Sequence, residues 1–420
     1  MNNQHRPIRV LMLTQRFEPE PSFKGLSLAR ALRDLGHEVE VLAGLPNYPG
    51  GKIYPGYQVR LTQREWLDGI AVHRAIHYPS HDRSGLRRMI NYLSFAASAA
   101  LLGPGMVKPP DVIYVYNLIT LSAAARRWRA RWGTKIVLDV QDLWPESVLV
   151  SGMMRSRLLA GLLRRWCLHE YRCADALVVL SPGFRRNLVD RGIAAKKIDV
   201  IYNWCDETAI RVPPQRVPNA EFPPDRFHVV FAGVMGVSQA LDVVIEAAAR
   251  LRSDAPEVLF TLVGGGTEPP RLEQLAQSKG LSNVRFLPQR PMSAMGEVYA
   301  AADALLVHLR DDPLFAITIP SKVQVYLHSG RPILCGVRGD AAELVERAGA
   351  GICFSPNNAE DLAAAVMNMR AISAEARQQM SRNGRQFYEE QLSFHQGVSR
   401  LEAVFRRVAT GCSRDEDRVA

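Results

Sequence analysis

Paired cysteines are missing from this sequence. Its six cysteines (Cys167, Cys173, Cys205, Cys335, Cys353 and Cys412) form no CxxC pair and no Cys/His cluster. That argues against a disulfide framework or a zinc site and for reduced, partly buried thiols in the cytoplasm. No uninterrupted apolar span is present either. The segment RSGLRRMINYLSFAASAALLGPGMV (83–107) sets 19 uncharged residues behind three arginines, but small residues dominate and Gly103-Pro104-Gly105 breaks the run. It reads as a half-buried or interfacial helix rather than a membrane span. The start, MNNQHRPIRV, runs straight into a strand pattern without a signal-peptide core, so a cytoplasmic location is expected. The glycine-rich LVGGG (262–266) is not GxGxxG, and no acidic residue closes a strand about 20 residues later, which speaks against an NAD site. No nucleic-acid motif accompanies the basic residues, and nucleic acid is not expected as a partner.

What the chain has is size and apolar content. Its 420 residues exceed one core and suit two domains of roughly 200 each. With 47% apolar and 22% charged residues, both can bury a proper core. The net charge of +10 is segregated: residues 1–200 carry 29 Lys and Arg against 16 Asp and Glu, whereas residues 201–420 carry 23 against 26. A net +13 on one half and −3 on the other points to an anionic partner for the first half only.

Both halves alternate strand and helix patterns. In the first, RVLMLT (9–14), EVEVLAG (38–44), DVIYVY (111–116), KIVLDVQD (135–142), ALVVLS (176–181) and KIDVIYN (197–203) read as strands, with an amphipathic helix near 25–35. Pro213, Pro214, Pro218, Pro223 and Pro224 then fall within twelve residues, predicting a linker over 204–226. The rhythm restarts at HVVFAG (228–233) and continues with a helix over about 239–252, then LFTLVGGG (259–266), VRFLP (284–288), ALLVHL (304–309), RPILCG (331–336) and AGICF (350–354). A long amphipathic helix is expected over 384–408, and 409–420 reads as a frayed tail. The fold class is therefore α/β, with two Rossmann-like doubly wound parallel sheets. Ligands of such folds bind at the carboxyl ends of the strands, so the expected site is a cleft between the two.

Three segments carry candidate chemistry. FAGVMGVSQALDVVIEAA (231–248) places Gly233 and Gly236 between a strand and a helix, a turn suited to a diphosphate. Gly264, Gly265 and Gly266 make a second such turn. In LFAITIPSKVQVYLHSGRPILCG (314–336), Pro320 and Ser321 read as a helix start, with Ser321 as the cap and Lys322 in the first turn. A lysine there opposes the helix dipole and is explained by a bound anion. Asp142, an acid at a strand's carboxyl end, could orient an acceptor hydroxyl or act as a base, or simply cap the turn before Trp144-Pro145.

These segments resemble the family-4 GT-B glycosyltransferases, and in particular the group that assembles O-antigen and colanic-acid-type polysaccharides. The resemblance is carried by residues 9–57 (through LPNYPGGKIYPGY), DVQDLWPESV (139–148), VVLSPGF (178–184), KIDVIYNWCDE (197–207), FAGVMG (231–236), VGGG (263–266), VRFLPQRPM (284–292) and IPSK…YL…GRPIL (319–334), in the family's order. It implies an acceptor-binding domain over 1–203, a nucleotide-sugar-binding domain over 227–384 and a C-terminal helix over 385–408 returning to the first domain. It implies transfer from a sugar nucleotide, usually UDP-linked, with retention and without metal or other cofactor. On the donor side it implies Gly233, Gly236, Gly265, Gly266, Arg290, Ser321 and Lys322; on the acceptor side Phe23, Lys24, Gly25, Asn47 and Tyr48; and as catalytic groups Asp142 and Lys322.

The chain departs from the family pattern at four places. Val234 and Gln239 stand where many members have Arg and Lys, Val325 where many have a ribose-binding Glu, and Gln141 where a His is common. The departures keep a catalytically inactive nucleotide-sugar-binding scaffold open beside the transferase; an isomerase of the UDP-hexosamine 2-epimerase kind shares the double-Rossmann shape. The segment 83–107, which sets arginines beside apolar residues, and the Arg- and Trp-bearing segments 126–132 and 155–166 suit an anionic membrane surface, which an isomerase would not need. They lead to the expectation of a protein attached peripherally to the inner face of the cell membrane. They also fit a polyprenyl-diphosphate-linked saccharide as acceptor.

Overall fold

The computed structural model describes residues 6–80, 84–150, 156–213 and 220–411. Cys412, Arg83, Arg155, Pro214, Pro218 and most of the 409–420 tail lie outside the described residues. The chain forms two compact units: 1–180 with 184–201 and 398–420, and 181–183 with 202–397.

The first unit is built on eight strands: β1 (Arg9–Leu13), β2 (Glu38–Gly44), β3 (Thr62–Leu67), β4 (Ile70–Ala75), β5 (Val112–Tyr116), β6 (Lys135–Val140), β7 (Ala176–Val179) and β8 (Ile198–Val200). Their order is β3-β4-β2-β1-β5-β6-β7-β8, parallel except for the antiparallel β3–β4 pair. The central strands are apolar throughout because helices cover both faces; Val10–Leu13 and Val112–Val115 are fully buried. Chain connections leave β1 in one direction and enter β5 from the other. The sheet therefore has a topological switch between them, which opens a crevice at their carboxyl ends.

The β3–β4 hairpin has no counterpart in the expected elements. Its signal was present: Asp68-Gly69 joins the strands with both residues at positive φ (48° and 79°), the requirement of a two-residue hairpin turn.

The second unit has six parallel strands: β9 (Phe227–Ala232), β10 (Val258–Val263), β11 (Val284–Leu287), β12 (Ala304–His308), β13 (Ile333–Gly336) and β14 (Gly351–Cys353), in the order β11-β10-β9-β12-β13-β14. Its switch lies between β9 and β12. The core runs through Val229, Phe231, Phe260, Leu262, Leu306 and Leu334, with Val244, Ile245 and Ala248 of helix Asp242–Asp254 packed on it.

Several expectations are corrected. The segment 204–226 is no free linker: Trp204, Cys205, Ile210 and Phe222 are buried within the second unit, and the Tyr388 hydroxyl accepts from the Cys205 N–H (3.0 Å) and donates to Glu207 (2.7 Å). The helix after β9 starts at Asp242 rather than near 239, because Ala240 is left-handed (φ 45°) and only a single 3₁₀ turn precedes it. The single helix expected over 384–408 is two, Ala374–Gln391 and Phe394–Thr410. From Val398 onward the second belongs to the first unit, where Phe405 packs edge-on against Tyr114 (5.3 Å between centroids) and Arg407 pairs with Asp199.

Candidate active site

At the carboxyl ends of β1, β5 and β6, a cavity of about 490 Å³ opens in the first unit. Its wall includes Arg16, Phe23, Tyr48, Tyr116, Asn117, Asp142 and Trp144. Asn117 follows β5 directly and is held in the left-handed region (φ 73°), a conformation Asn tolerates better than most residues. Strain of this kind concentrates at functional sites. The Arg16 guanidinium lies over the Tyr48 ring, 3.8 Å from its centroid. Asp142 is exposed into this concave site, yet protein encloses it on most sides. That desolvation raises its carboxyl above the usual range, and the nearby Arg16 charge and the Ser147 hydroxyl offset the rise only in part.

Phe23, Tyr48 and Asp142 are thus brought together in the wall of one cavity. Lys24, Gly25 and Asn47 are not, and their expected acceptor contact is corrected: all three are buried behind the wall. Lys24 is fully buried in an ion pair with Asp139 (2.5 Å), which also accepts from the Tyr114 hydroxyl and from Gln141. A Cβ on Gly25 would collide with the Glu18 carboxylate, which accepts from the Leu26 N–H (2.9 Å) at the start of helix Leu26–Asp34. The Asn47 side chain meets His77 Nε2 (2.5 Å), while Glu20 accepts from the N–H groups of Asn47 (2.7 Å) and Tyr48 (2.6 Å). Glu18 therefore holds the start of the first helix, and Glu20 shapes the loop that carries Tyr48. Sequence reasoning missed both, and it missed Arg16 and Asn117. The Asn closing an apolar strand in VIYVYN was the available signal for the last.

In the second unit, a cavity of about 170 Å³ lies at the carboxyl ends of β9, β10 and β11, lined among others by Gly233, Gly264, Gly265, Arg290, Met292 and Tyr299. The glycines are needed for close backbone approach. A Cβ on Gly264 (φ 147°) would overlap the Gly233 carbonyl, and one on Gly266 (φ 144°) the Met235 carbonyl. Met235 N–H donates to the Gly265 carbonyl (2.7 Å), tying the two turns together. Gly236 N–H is taken by Gln239 Oε1 (2.9 Å), so the residue standing in place of a common family lysine closes the turn on itself.

Lys322 comes from the first turn of helix Ser321–Ser329 and lies against Gly233, where a Cβ would sit 2.9 Å from its Nζ. Its ammonium is 4.8 Å from the Phe231 ring centroid. No carboxylate among the described residues pairs with it, and burial alone pushes its amine down to about 8. Ser321 is exposed at the same helix start, but Pro320 occupies the cap position and no side chain caps the helix, correcting the expected Ser321 cap. The Arg290 guanidinium lines the cavity while bonded to Glu221 (2.6 Å). Among the described residues, no group of three His, Cys, Asp or Glu is placed to hold a metal ion.

Residues 26–204 match the family described as Glycosyl transferase 4-like domain, and residues 215–387 match Glycosyl transferases group 1. The chain belongs to the family-4 glycosyltransferases. This glycosyltransferase is 28% identical over 352 residues to the putative colanic acid biosynthesis glycosyl transferase WcaI of Escherichia coli K12, covering 79% of this chain and 84% of that one. It is 25% identical over 237 residues to the probable glycosyltransferase WbjE of Pseudomonas aeruginosa, covering 55% and 58%. Among solved structures, Anabaena Alr3699/HepE in complex with UDP aligns over 95% of this chain and 100% of that one, with a TM-score of 0.68 at 16% identity. An Escherichia coli trehalose-6-phosphate structure bound with UDP-2-fluoro glucose aligns over 95% and 99%, with a TM-score of 0.70 at 13% identity. These likenesses establish the GT-B fold of the enzyme, two parallel-sheet α/β domains.

Proposed function

We propose that this glycosyltransferase moves a sugar from a UDP-linked donor onto a polyprenyl-diphosphate-linked saccharide during assembly of a bacterial surface polysaccharide, with retention and without a metal ion. The observation that carries the donor side is Lys322: a half-buried, desolvated ammonium without a carboxylate partner among the described residues, set at a glycine turn at the β9 carboxyl end. A donor diphosphate supplies the missing negative charge. Lys322 takes the part that a divalent cation plays elsewhere, stabilising charge as the UDP leaves. Gly233, Gly265 and Arg290 line the neighbouring cavity, Ser321 precedes Lys322 in the same helix turn, and Met292 and Tyr299 give the cavity an apolar side suited to the base. The neighbours solved with UDP and with UDP and glucose support this class of donor.

On the acceptor side, Asp142 orients the attacking hydroxyl or takes its proton, with Phe23, Tyr48, Tyr116 and Asn117 shaping the pocket. The lipid part of the acceptor is supported by exposed apolar surface on two helices of the first unit. Helix Gly85–Leu102 contributes Tyr92 to the wall and leaves Leu86, Ile90 and Leu93 exposed beside Arg87; helix Arg157–Cys173 exposes Leu158, Leu159 and Leu162 beside Arg164 and Arg165. No described helix is long and apolar enough to cross a membrane, and apolar residues interleaved with arginine suit attachment to an anionic leaflet. The similarity to WcaI supports the polysaccharide setting.

The test is UDP release from a panel of UDP- and GDP-sugars, with and without membrane extract carrying lipid-linked saccharides, in the presence of EDTA. Acceptor-dependent release with one UDP-sugar is the expected result. Release that needs no acceptor, or that EDTA abolishes, overturns the corresponding part of the reading.

A further inference from the structure

The second unit carries a cavity that shares no lining residue with the proposed donor cavity. It is about 430 Å³ in volume and is lined by four arginines, Arg331, Arg377, Arg382 and Arg385. Its place in the fold separates it from the donor site. Asp303 and Pro332, which line it, immediately precede β12 and β13, so it opens at the amino ends of those strands. The donor position lies at the carboxyl ends of the same sheet. The wall is one face of helix Ala374–Gln391, whose Ala374, Arg377, Ser381, Arg382 and Arg385 recur at helical spacing. The floor is the Ser329–Pro332 turn, where Gly330 sits against the Arg385 stem.

Among the described residues, Arg377, Arg382 and Arg385 share a single ion pair, that of Arg385 with Glu389. Among the described residues, Arg382 bonds to the neutral Gln379 carbonyl oxygen (3.1 Å for Nε). Arg385 shares Glu389 (3.0 Å) and reaches the His328 carbonyl (3.4 Å). Arg377 donates to the carbonyls of Met369, Arg370 and Ile372, which order its guanidinium without neutralising it. The one acidic residue in the lining, Asp303, accepts from the His228 N–H (2.8 Å). Helix Ala374–Gln391 also begins at the cavity, adding the positive end of its dipole. This concentration of cations occurs in the half of the chain whose net charge is −3.

We propose that this groove is a second anion site, taking a ligand that bears phosphate or diphosphate and is distinct from the nucleotide sugar. Guanidinium groups presented from one helix face and one turn match phosphate oxygens through paired N–H donors. Such a ligand contacts the turn that ends helix Ser321–Ser329, the helix whose first turn carries Lys322. Nine residues of helix thus join this turn to Lys322.

Inorganic pyrophosphate is the probe, titrated calorimetrically into the full chain at low salt with UDP saturating. Binding that persists under UDP, survives Lys322→Met and weakens about tenfold or more in the Arg382→Gln/Arg385→Gln double variant is expected. Both arginines are exposed, so the variant keeps the fold, and an unchanged thermal transition checks this. Loss of all pyrophosphate binding under UDP, or residual binding equal in the double variant and the parent, overturns the proposal. Sedimentation with phosphatidylglycerol vesicles then assigns the source. Unchanged vesicle binding in the variant indicates a soluble phosphate ligand, and reduced vesicle binding a lipid head group.

Discussion

At the residue scale, the two candidate sites differ in what burial does to them. Burial lowers the Lys322 amine to about 8, whereas a bound diphosphate favours its charged form. UDP affinity should therefore rise as pH falls through about 8 and weaken above it, a trend that calorimetry across pH 7 to 9.5 reads directly, at roughly a tenfold change overall. Lys322→Met should flatten that profile and reduce kcat/KM for the donor by roughly 10²–10³-fold. For Asp142 the sign is opposite in consequence. Its raised carboxyl must be ionised to orient or deprotonate the acceptor, so activity should fall on the acid side at a pH above the ordinary carboxylate range. Asp142→Asn should lower kcat by roughly 10²–10⁴-fold and remove that acid limb; an acid limb retained in the variant would exclude Asp142 as its source.

Elements decide how those residues are presented. The glycine turns after β9 and β10 work because carbonyls of one turn occupy the space where side chains of the other would stand. Gly264→Ala meets both a strained φ of 147° and the Gly233 carbonyl, and should weaken UDP binding at least about tenfold while lowering the thermal transition of its domain. The helices Gly85–Leu102 and Arg157–Cys173 present leucines to solvent beside arginines, an arrangement with a cost unless something apolar covers it. Leu86→Glu with Leu93→Glu should reduce partitioning onto anionic vesicles by more than about tenfold, since each buried leucine contributes about 1.5–3 kcal/mol, and leave UDP affinity unchanged. Vesicle sedimentation beside UDP titration separates the two effects.

For the whole molecule, charge segregation and chain return matter most. A net +13 on residues 1–200 predicts that attachment to anionic vesicles weakens steeply between low salt and 0.5 M salt, as screening shortens below about 8 Å. The return of the chain to the first domain is stabilised by Phe405 against Tyr114 and by Arg407 on Asp199. Phe405→Ala should cost the first domain about 3–5 kcal/mol, seen in calorimetry as a lowered transition for that domain with the other unmoved.

Periodicity and composition were enough to read the two doubly wound sheets, because buried parallel strands are near-continuous apolar runs such as VIYVY and VLFTLV, whatever surrounds them. The placement of Lys322, Gly233 and Asp142 at the end of a strand or the start of a helix was legible for a local reason as well, because strand and helix ends are marked by the residues around them. The fates of Lys24, Asn47 and Gln141 were not legible. Whether a lysine in a loop faces a substrate or an aspartate depends on a partner 115 residues away, and Asp139 reads in sequence only as one more residue of an apolar strand. The same holds for the four arginines of the second groove, which come from a loop and a helix separated in the chain. Charge and pattern are local properties of a sequence; pairing between distant side chains is created only when the sheets and helices close around them.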